Sequence, residues 1–151
     1  MNEELMQNLI RSYQKQVSSV VEALRRELGS NDLLADWHSG AIPQSGTLSG
    51  GIHFSFHGVG CTATASDYLV NFDFGPGGRH DGFDAWRLWQ FARSKAKDYP
   101  ELQDVNDVRR EVQRLASRGV VWCPNKYPSR HLFYLSSDPM VEDLKRGGEE
   151  D

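Results

Sequence analysis

The residues of this chain best suited to chemistry are histidines and aspartates within residues 52–91, where glycines lie between them. His57 and Asp73 lie on either side of Gly60 in the strand pairing argued below, and glycine has no side chain to keep them apart. A histidine beside a carboxylate is a common acid/base or metal-binding pair. The candidate metal or acid/base site consists of His53, His57, Asp73 and His80.

The same residues have a simpler interpretation as the solvated face of a sheet. No His-x-x-x-His occurs on a predicted helix, and Cys61 and Cys123 lack the spacing of a zinc site. Cys61 is predicted to face inward, where an apolar pocket raises the pKa of a thiol and makes it unreactive. We therefore expect no cofactor and no catalytic residue. A small metal-dependent or acid/base enzyme using His57 and Asp73 stays an alternative.

A glycine-rich segment, Gly75–Gly82, leads into a predicted helix N-terminus, where backbone N–H groups favour an anion. The segment lacks the Gly-x-x-x-x-Gly-Lys spacing of a phosphate-binding loop, and Asp81 and Asp84 would repel phosphate. A plain strand-to-helix connection is therefore the better interpretation. The nearby Arg79 and Arg87 are expected to pair with aspartates of the same region.

Arginines on the fourth predicted helix form a second candidate site, since most of them fall four residues apart along one face. Helix, helix and then a β-hairpin is also the order of a winged-helix module, which makes a DNA-binding regulator an alternative function. Against it, Asp107 and Glu111 lie on or near the same surface, and useful DNA affinity needs several neutralised phosphates. We do not favour nucleic acid as the partner. The residues that would contact DNA in this alternative are Arg109, Arg110, Arg114 and Arg118.

Three strands are predicted to position the histidines as an antiparallel meander. The first turn is placed at Gly58-Val59, where glycine supplies a positive φ, and the second at Ser66-Asp67. The pairings of both hairpins place the apolar side chains on one common face. A slip of either pairing by one residue would move the apolar side chains of that strand to the solvent face. The residues of that face are Ile52, Phe54, Phe56, Cys61, Ala63, Val70 and Phe72.

Helices are predicted before and after this meander along the chain. Apolar spacings of three and four residues indicate a helix over 3–28 that ends at Gly29, and Ser30 or Asn31 is expected to cap a short second helix. The segment 39–51 is predicted as a loop. Asp81 is expected to cap a largely buried helix over 83–97 that includes Trp86 and Trp89.

The C-terminal part is predicted to contain a helix over 105–118 capped by Asp104, strands over 120–123 and 131–136, and a short helix from Asp138. The fold class is therefore α+β, with N-terminal helices, a three-stranded meander, two helices and a C-terminal β-hairpin. We expect one globular domain over 1–146 and a disordered acidic tail over 147–151.

Composition indicates an ordinary globular chain of 151 residues with a net charge of −4. Residues 79–137 carry more basic than acidic groups, whereas both flanks are acidic. There is no apolar run of about 20 residues and no secretory signal, so we expect a cytoplasmic protein without membrane contact. The two cysteines are expected to be free thiols.

Several short motifs resemble a family of small bacterial domains of unknown function. They are the runs His57–Cys61, Phe72–Gly75 and Asp81–Leu88, and the likeness extends to Leu132–Leu135. The resemblance carries over no established catalytic residue to this chain. Small acidic domains of this kind often resemble the immunity proteins of bacterial toxin systems, which is an analogy at the level of the family.

A non-catalytic binding protein is the function that these observations favour, with a cognate toxin or effector domain as its partner. An immunity protein would block the toxin by occluding its active site. Acidic residues and exposed aromatic side chains suit recognition of a basic protein surface. The predicted partner-binding residues are Asp36, Trp37, Asp67, Tyr68, Asp73, Asp81 and Asp84.

Overall fold

The long N-terminal helix forms one wall of the core. The computed structural model describes residues 3–74, 80, 82–95, 98–123 and 132–149. Helix α1 spans Glu3–Leu28 and ends at Gly29, which has a φ of +64° as the predicted helix stop requires. Its apolar stripe is buried along most of its length. The buried residues are Met6, Leu9, Ile10, Tyr13, Val17, Val20, Val21, Ala23 and Leu24.

The short helix α2 spans Leu33–Ser39 and is capped by Asp32, so the expectation of a Ser30 or Asn31 cap is wrong. The Asp32 carboxylate accepts a hydrogen bond from the backbone N–H of Ala35 over 3.1 Å. Ser30 is buried instead, and its hydroxyl donates to Asp36 over 2.6 Å. A buried serine that already has a partner is not available to cap the helix.

The sheet has four antiparallel strands in the order β1-β2-β3-β4. Strand β2 spans His53–His57, β3 spans Gly60–Ala65 and β4 spans Tyr68–Asp73. The predicted register is confirmed in both hairpins, and Gly58 in the first turn has a φ of +58°. The pairs that match the prediction include His57–Gly60, Phe56–Cys61, Phe54–Ala63, Thr62–Asn71, Cys61–Phe72 and Ala63–Val70.

Strand β1, Ser45–Thr47, lies in the segment predicted as a loop and adds a fourth strand beside β2. Its residues are all exposed and include no apolar side chain, so they lack the alternation by which a strand is predicted. Gly46 permits the pairing, because a Cβ there would lie 3.2 Å from the ring of Phe54.

Helix α3 spans Ala85–Ser94 and packs on β4. Its cap is Asp84, which accepts a hydrogen bond from the backbone N–H of Arg87 over 2.8 Å, and not Asp81. Asp81 itself lies outside the described residues. The expectation that Trp86 is buried is also wrong, because its side chain is 50% exposed. Trp86 is two residues before the buried Leu88, which places it about 160° away around the helix.

The C-terminal elements follow the predicted order. Helix α4 spans Val105–Ser117, is capped by Asp104 as expected, and is followed by Gly119 with a φ of +77°. Strands β5 (Val121–Trp122) and β6 (Tyr134–Leu135) pair antiparallel. Helix α5 spans Pro139–Glu149 and so extends into the segment predicted as a disordered tail.

The outer edge of β4 is closed by side chains from α1 and α3. Tyr13 donates its hydroxyl to the carbonyl of Asn71 over 2.5 Å, and the N–H of Leu69 donates to the Ser94 hydroxyl over 3.2 Å. These bonds satisfy backbone groups that would otherwise offer an edge for another strand. The architecture is therefore α+β, with helices on the apolar face and one edge of the sheet. In the described part of the chain, no helix combines the length and apolar character needed to cross a membrane.

Candidate functional site

His57 and Asp73 lie on either side of Gly60, as the strand register predicts. A Cβ on Gly60 would lie 2.5 Å from Asp73 Oδ1 and 3.2 Å from His57 Cε1. Each of the two side chains nevertheless makes its hydrogen bond elsewhere. His57 Nε2 lies 2.8 Å from Thr62 Oγ1, and Asp73 Oδ2 accepts from Arg87 over 2.9 Å. The structure therefore brings the pair to one place but assigns each member a separate partner.

Arg87 is the centre of a partly buried charge cluster, and its side chain is 12% exposed. It pairs with Asp73, and its Nε lies 3.7 Å from Asp84 Oδ2. Burial alone would lower the pKa of Arg87, but Tyr13 and the two carboxylates outweigh that effect and raise the pKa. Burial also raises the pKa of Tyr13. The expected pairing of Arg87 is confirmed, whereas Arg79 lies outside the described residues.

The remaining histidines of the candidate metal site are held apart by different contacts. His53 Nδ1 lies 3.0 Å from Thr47 Oγ1 at the β1–β2 pair, and the ring of His80 lies 6.1 Å from that of Phe72. Among the described residues, no group of three or more histidine, cysteine or acidic side chains is arranged to hold a metal ion. Most of the glycine-rich segment considered for an anion lies outside the described residues.

The predicted partner-binding aromatic residues contribute to packing. Trp37 is partly buried, stacks on Phe56 with ring centroids 5.9 Å apart, and donates its indole N–H to the carbonyl of Gly58 over 3.1 Å. Tyr68 is only 7% exposed, so the expectation that it is an exposed aromatic is wrong. Tyr68 lies two residues before Val70 in β4. Because side chains two apart in a strand point to the same face, Tyr68 lies with Val70 on the apolar face of the sheet.

The predicted partner-binding acids occupy different parts of the surface. Asp67 is exposed in the turn between β3 and β4. Asp36 accepts from Ser30, while Asp73 and Asp84 lie beside Arg87. Only part of the negative charge expected at these positions is therefore offered to a partner.

The arginines of α4, and Arg118 directly after its end, have partners within the chain. Arg110 pairs with Asp107, Arg114 with Glu111 over 2.6 Å, and Arg118 with Glu3 over 2.6 Å. Arg109 instead donates to the neutral Asn106 side chain over 2.7 Å. Exposed pairs of this kind contribute about 0–1 kcal/mol each, but they reduce the positive charge available to phosphates. This arrangement does not favour the DNA-binding alternative.

A groove between α3, α4 and Phe133 is the surface that the sequence did not predict. Its volume is about 340 Å³, and the half-exposed Trp86 stands at it with its ring centroid 5.1 Å from that of Trp89. The wide apolar arc of α3 was only a partial signal, because it does not show which of the large side chains is left uncovered. The described residues that line the groove are Asp84, Ala85, Trp86, Arg109, Val112, Gln113 and Phe133.

Residues 6–135 match the family model of a domain of unknown function (DUF6896). The chain belongs to this family. No curated protein and no solved structure matches it. The DUF6896 match runs from α1 to the end of β6, so it includes the Arg87 cluster and every described residue of the groove, whereas α5 lies beyond it.

Proposed function

We propose that this DUF6896 chain is a non-catalytic protein-binding domain, and that it acts as an immunity protein for a cognate bacterial toxin. The observation that carries the proposal is the half-exposed Trp86 beside a groove of about 340 Å³. A partner that covered this indole would remove its apolar surface from water, which is favourable. Tryptophan and arginine are also the residues that most often dominate the energy of protein interfaces.

Support for binding over catalysis comes from the state of the chemically capable groups. The pKa of the Cys61 thiol is raised to about 12 by burial, so the thiol is protonated at neutral pH and is a poor nucleophile. His57 and Asp73 have separate partners in Thr62 and Arg87. Both contacts are made within the chain, so they stabilise the structure of this surface without a bound substrate.

The toxin is proposed as the partner because the chain is small and acidic, as many immunity proteins of bacterial toxin systems are. Its net charge is −4, which assists the encounter with a basic protein, most strongly at low ionic strength. In this proposal the groove beside Trp86 holds part of the toxin, and the bulk of the domain covers the toxin's active site.

Co-expression with the product of the adjacent gene tests the proposal, because toxin and immunity functions are encoded as pairs. The wild-type chain should co-purify with that product and relieve its toxicity. Trp86→Ala should weaken the complex by about tenfold or more, as expected for a central aromatic contact. Val59→Ala is the matched control, since Val59 is also an exposed apolar residue, at 40%, but lies in the β2–β3 turn.

Two results would contradict the proposal. In the first, the adjacent product is neither bound nor inhibited by the wild-type chain. In the second, binding occurs, but Val59→Ala weakens it as much as Trp86→Ala does. The second result would retain a binding function and remove the groove as its contact surface.

A further inference from the structure

Arg109 differs in its partner from the other arginines of α4 and from Arg118, the residue that follows α4. Arg110, Arg114 and Arg118 each pair with a carboxylate, whereas Arg109 is bound to the neutral side chain of Asn106. Within the described residues, no carboxylate pairs with Arg109. Its full positive charge is therefore available at the groove, which it lines together with Trp86.

Asp84, the carboxylate that lines the same groove, has its charge offset by other contacts. It caps α3 by accepting the N–H of Arg87 over 2.8 Å, and its second oxygen lies 3.7 Å from the Arg87 guanidinium. A carboxylate at a helix N-terminus is stabilised by the positive end of the helix dipole. Among the described residues that line it, the groove therefore offers apolar walls, the Arg109 guanidinium without a paired carboxylate, and the amide of Gln113.

We infer that the groove binds an acidic segment of a protein partner, in which an aromatic or aliphatic side chain lies next to an aspartate or glutamate. The inference rests on the proposed function for the partner being a protein. The apolar side chain would contact Trp86, Val112 and Phe133, and the neighbouring carboxylate would pair with Arg109. Gln113 can hydrogen-bond to the backbone of the bound segment, because its side-chain amide both donates and accepts.

The overall charge of −4 does not prevent the groove from preferring an acidic segment, because the preference depends on contacts at short range. At physiological ionic strength, exposed charges are largely screened beyond about 8 Å. Arg109 would be within hydrogen-bond distance of the bound carboxylate, whereas most acidic residues of the chain lie on other elements. The preference for acidic segments should therefore be local to the groove and should weaken as salt is added.

A random peptide library displayed on phage is the probe for this inference. It is selected on the full-length chain, and binders that Trp86→Ala also retains are discarded. Selected peptides are then synthesised, and their binding is measured by fluorescence anisotropy. We expect the selected sequences to combine an aromatic or aliphatic residue with a nearby aspartate or glutamate.

Charge reversal at Arg109 separates the inference from a purely structural effect. Arg109→Ala should weaken the acidic peptides by about twofold to fivefold, the range of one exposed ion pair. Arg109→Glu should shift the selected sequences towards lysine and arginine. Arg110→Ala and Arg110→Glu are the controls, because Arg110 is the next residue on α4 but already pairs with Asp107.

The inference is overturned if no peptide depends on Trp86, if selected peptides are neutral or basic, or if the Arg110 variants act as the Arg109 variants do. These outcomes are distinct from failure of the proposed function. Peptides that depend on Trp86 but carry no acid would retain the groove as a binding site. Failure to bind the adjacent gene product would remove the immunity role without changing the peptide result.

Discussion

Arg87 Nη2 lies 2.9 Å from Asp73 Oδ2, and this ion pair joins the first turn of α3 to the end of β4. The pair is partly withdrawn from water, with side-chain exposures of 12% and 30%. Arg87 directly follows Trp86 in the chain, so the same turn of helix that is tied to the sheet also presents the exposed indole. We therefore expect the orientation of this helix turn, and of the indole at the groove, to depend on the Arg87–Asp73 contact.

Replacement of Arg87 by methionine should lower the free energy of unfolding by about 2 kcal/mol. The change keeps most of the side-chain volume but removes a charge-assisted hydrogen bond and leaves two carboxylates without their cation. Arg93→Met is the control on the same helix, since Arg93 is exposed, and should change stability by less than about 0.5 kcal/mol. Urea unfolding measures both. Equal losses would show that the Arg87 pair contributes no more than a surface residue.

A methyl group at Gly60 should destabilise the sheet by about 1–3 kcal/mol, since overpacking forces backbone and side chains to shift. The new Cβ would lie 2.5 Å from Asp73 Oδ1 and 2.9 Å from the carbonyl oxygen of Phe72. Gly50→Ala is the control, because nothing lies within 4 Å of its Cβ position. Alanine normally stabilises a strand relative to glycine, so a loss at position 60 alone would confirm the close approach. Thermal unfolding of the Gly60→Ala and Gly50→Ala variants measures the two changes in stability.

The meander was predictable because its two hairpins constrain each other. Placing Phe56 opposite Cys61 puts the large rings and the small residues of three strands on one face, and any slip would expose them. Cap positions were less predictable, since two aspartates, Asp81 and Asp84, lie shortly before α3 and each is a residue type that can cap a helix. Asp84 serves because α3 begins at Ala85. The spacing of apolar residues indicates that a helix is present, but it does not show at which residue the helix begins.

The groove could not be predicted for a different reason. Its walls come from the consecutive helices α3 and α4 and from the more distant Phe133, and they meet through tertiary packing. The helical period alone places Trp86 opposite Leu88, but a wide apolar arc also suits a helix buried on all sides. Which face is covered depends on neighbours, and a single sequence does not give the angle between two helices.

Burial of Cys61 predicts a loss of stability in alkaline solution. The pKa of its thiol is raised from 9.0 to about 12, so the folded state keeps a proton that the unfolded state releases above about pH 9. The contribution is complete below pH 9, and the free energy of unfolding should then fall by up to about 1.4 kcal/mol per pH unit until about pH 12.

The pH dependence of urea unfolding for wild type and Cys61→Ala measures this contribution. The alanine variant should lose less stability between pH 9 and 11 than wild type, although it is less stable at neutral pH. Tyr13, whose pKa is also raised by burial, contributes a decline that both proteins share. Parallel curves for the two proteins would contradict the assignment to Cys61.

The two faces of α3 should respond very differently to truncation. Leu88 is fully buried, and Leu88→Ala should cost about 2–5 kcal/mol because it leaves a cavity in the core. Trp86 is 50% exposed, and Trp86→Ala should cost about 1 kcal/mol or less, mainly through lost contact with Trp89. Urea unfolding at neutral pH measures both. If Trp86→Ala were as costly as Leu88→Ala, the indole would be part of the core and would not be available to a partner. A small cost combined with lost binding to the adjacent gene product would instead place its main energetic role in the interface.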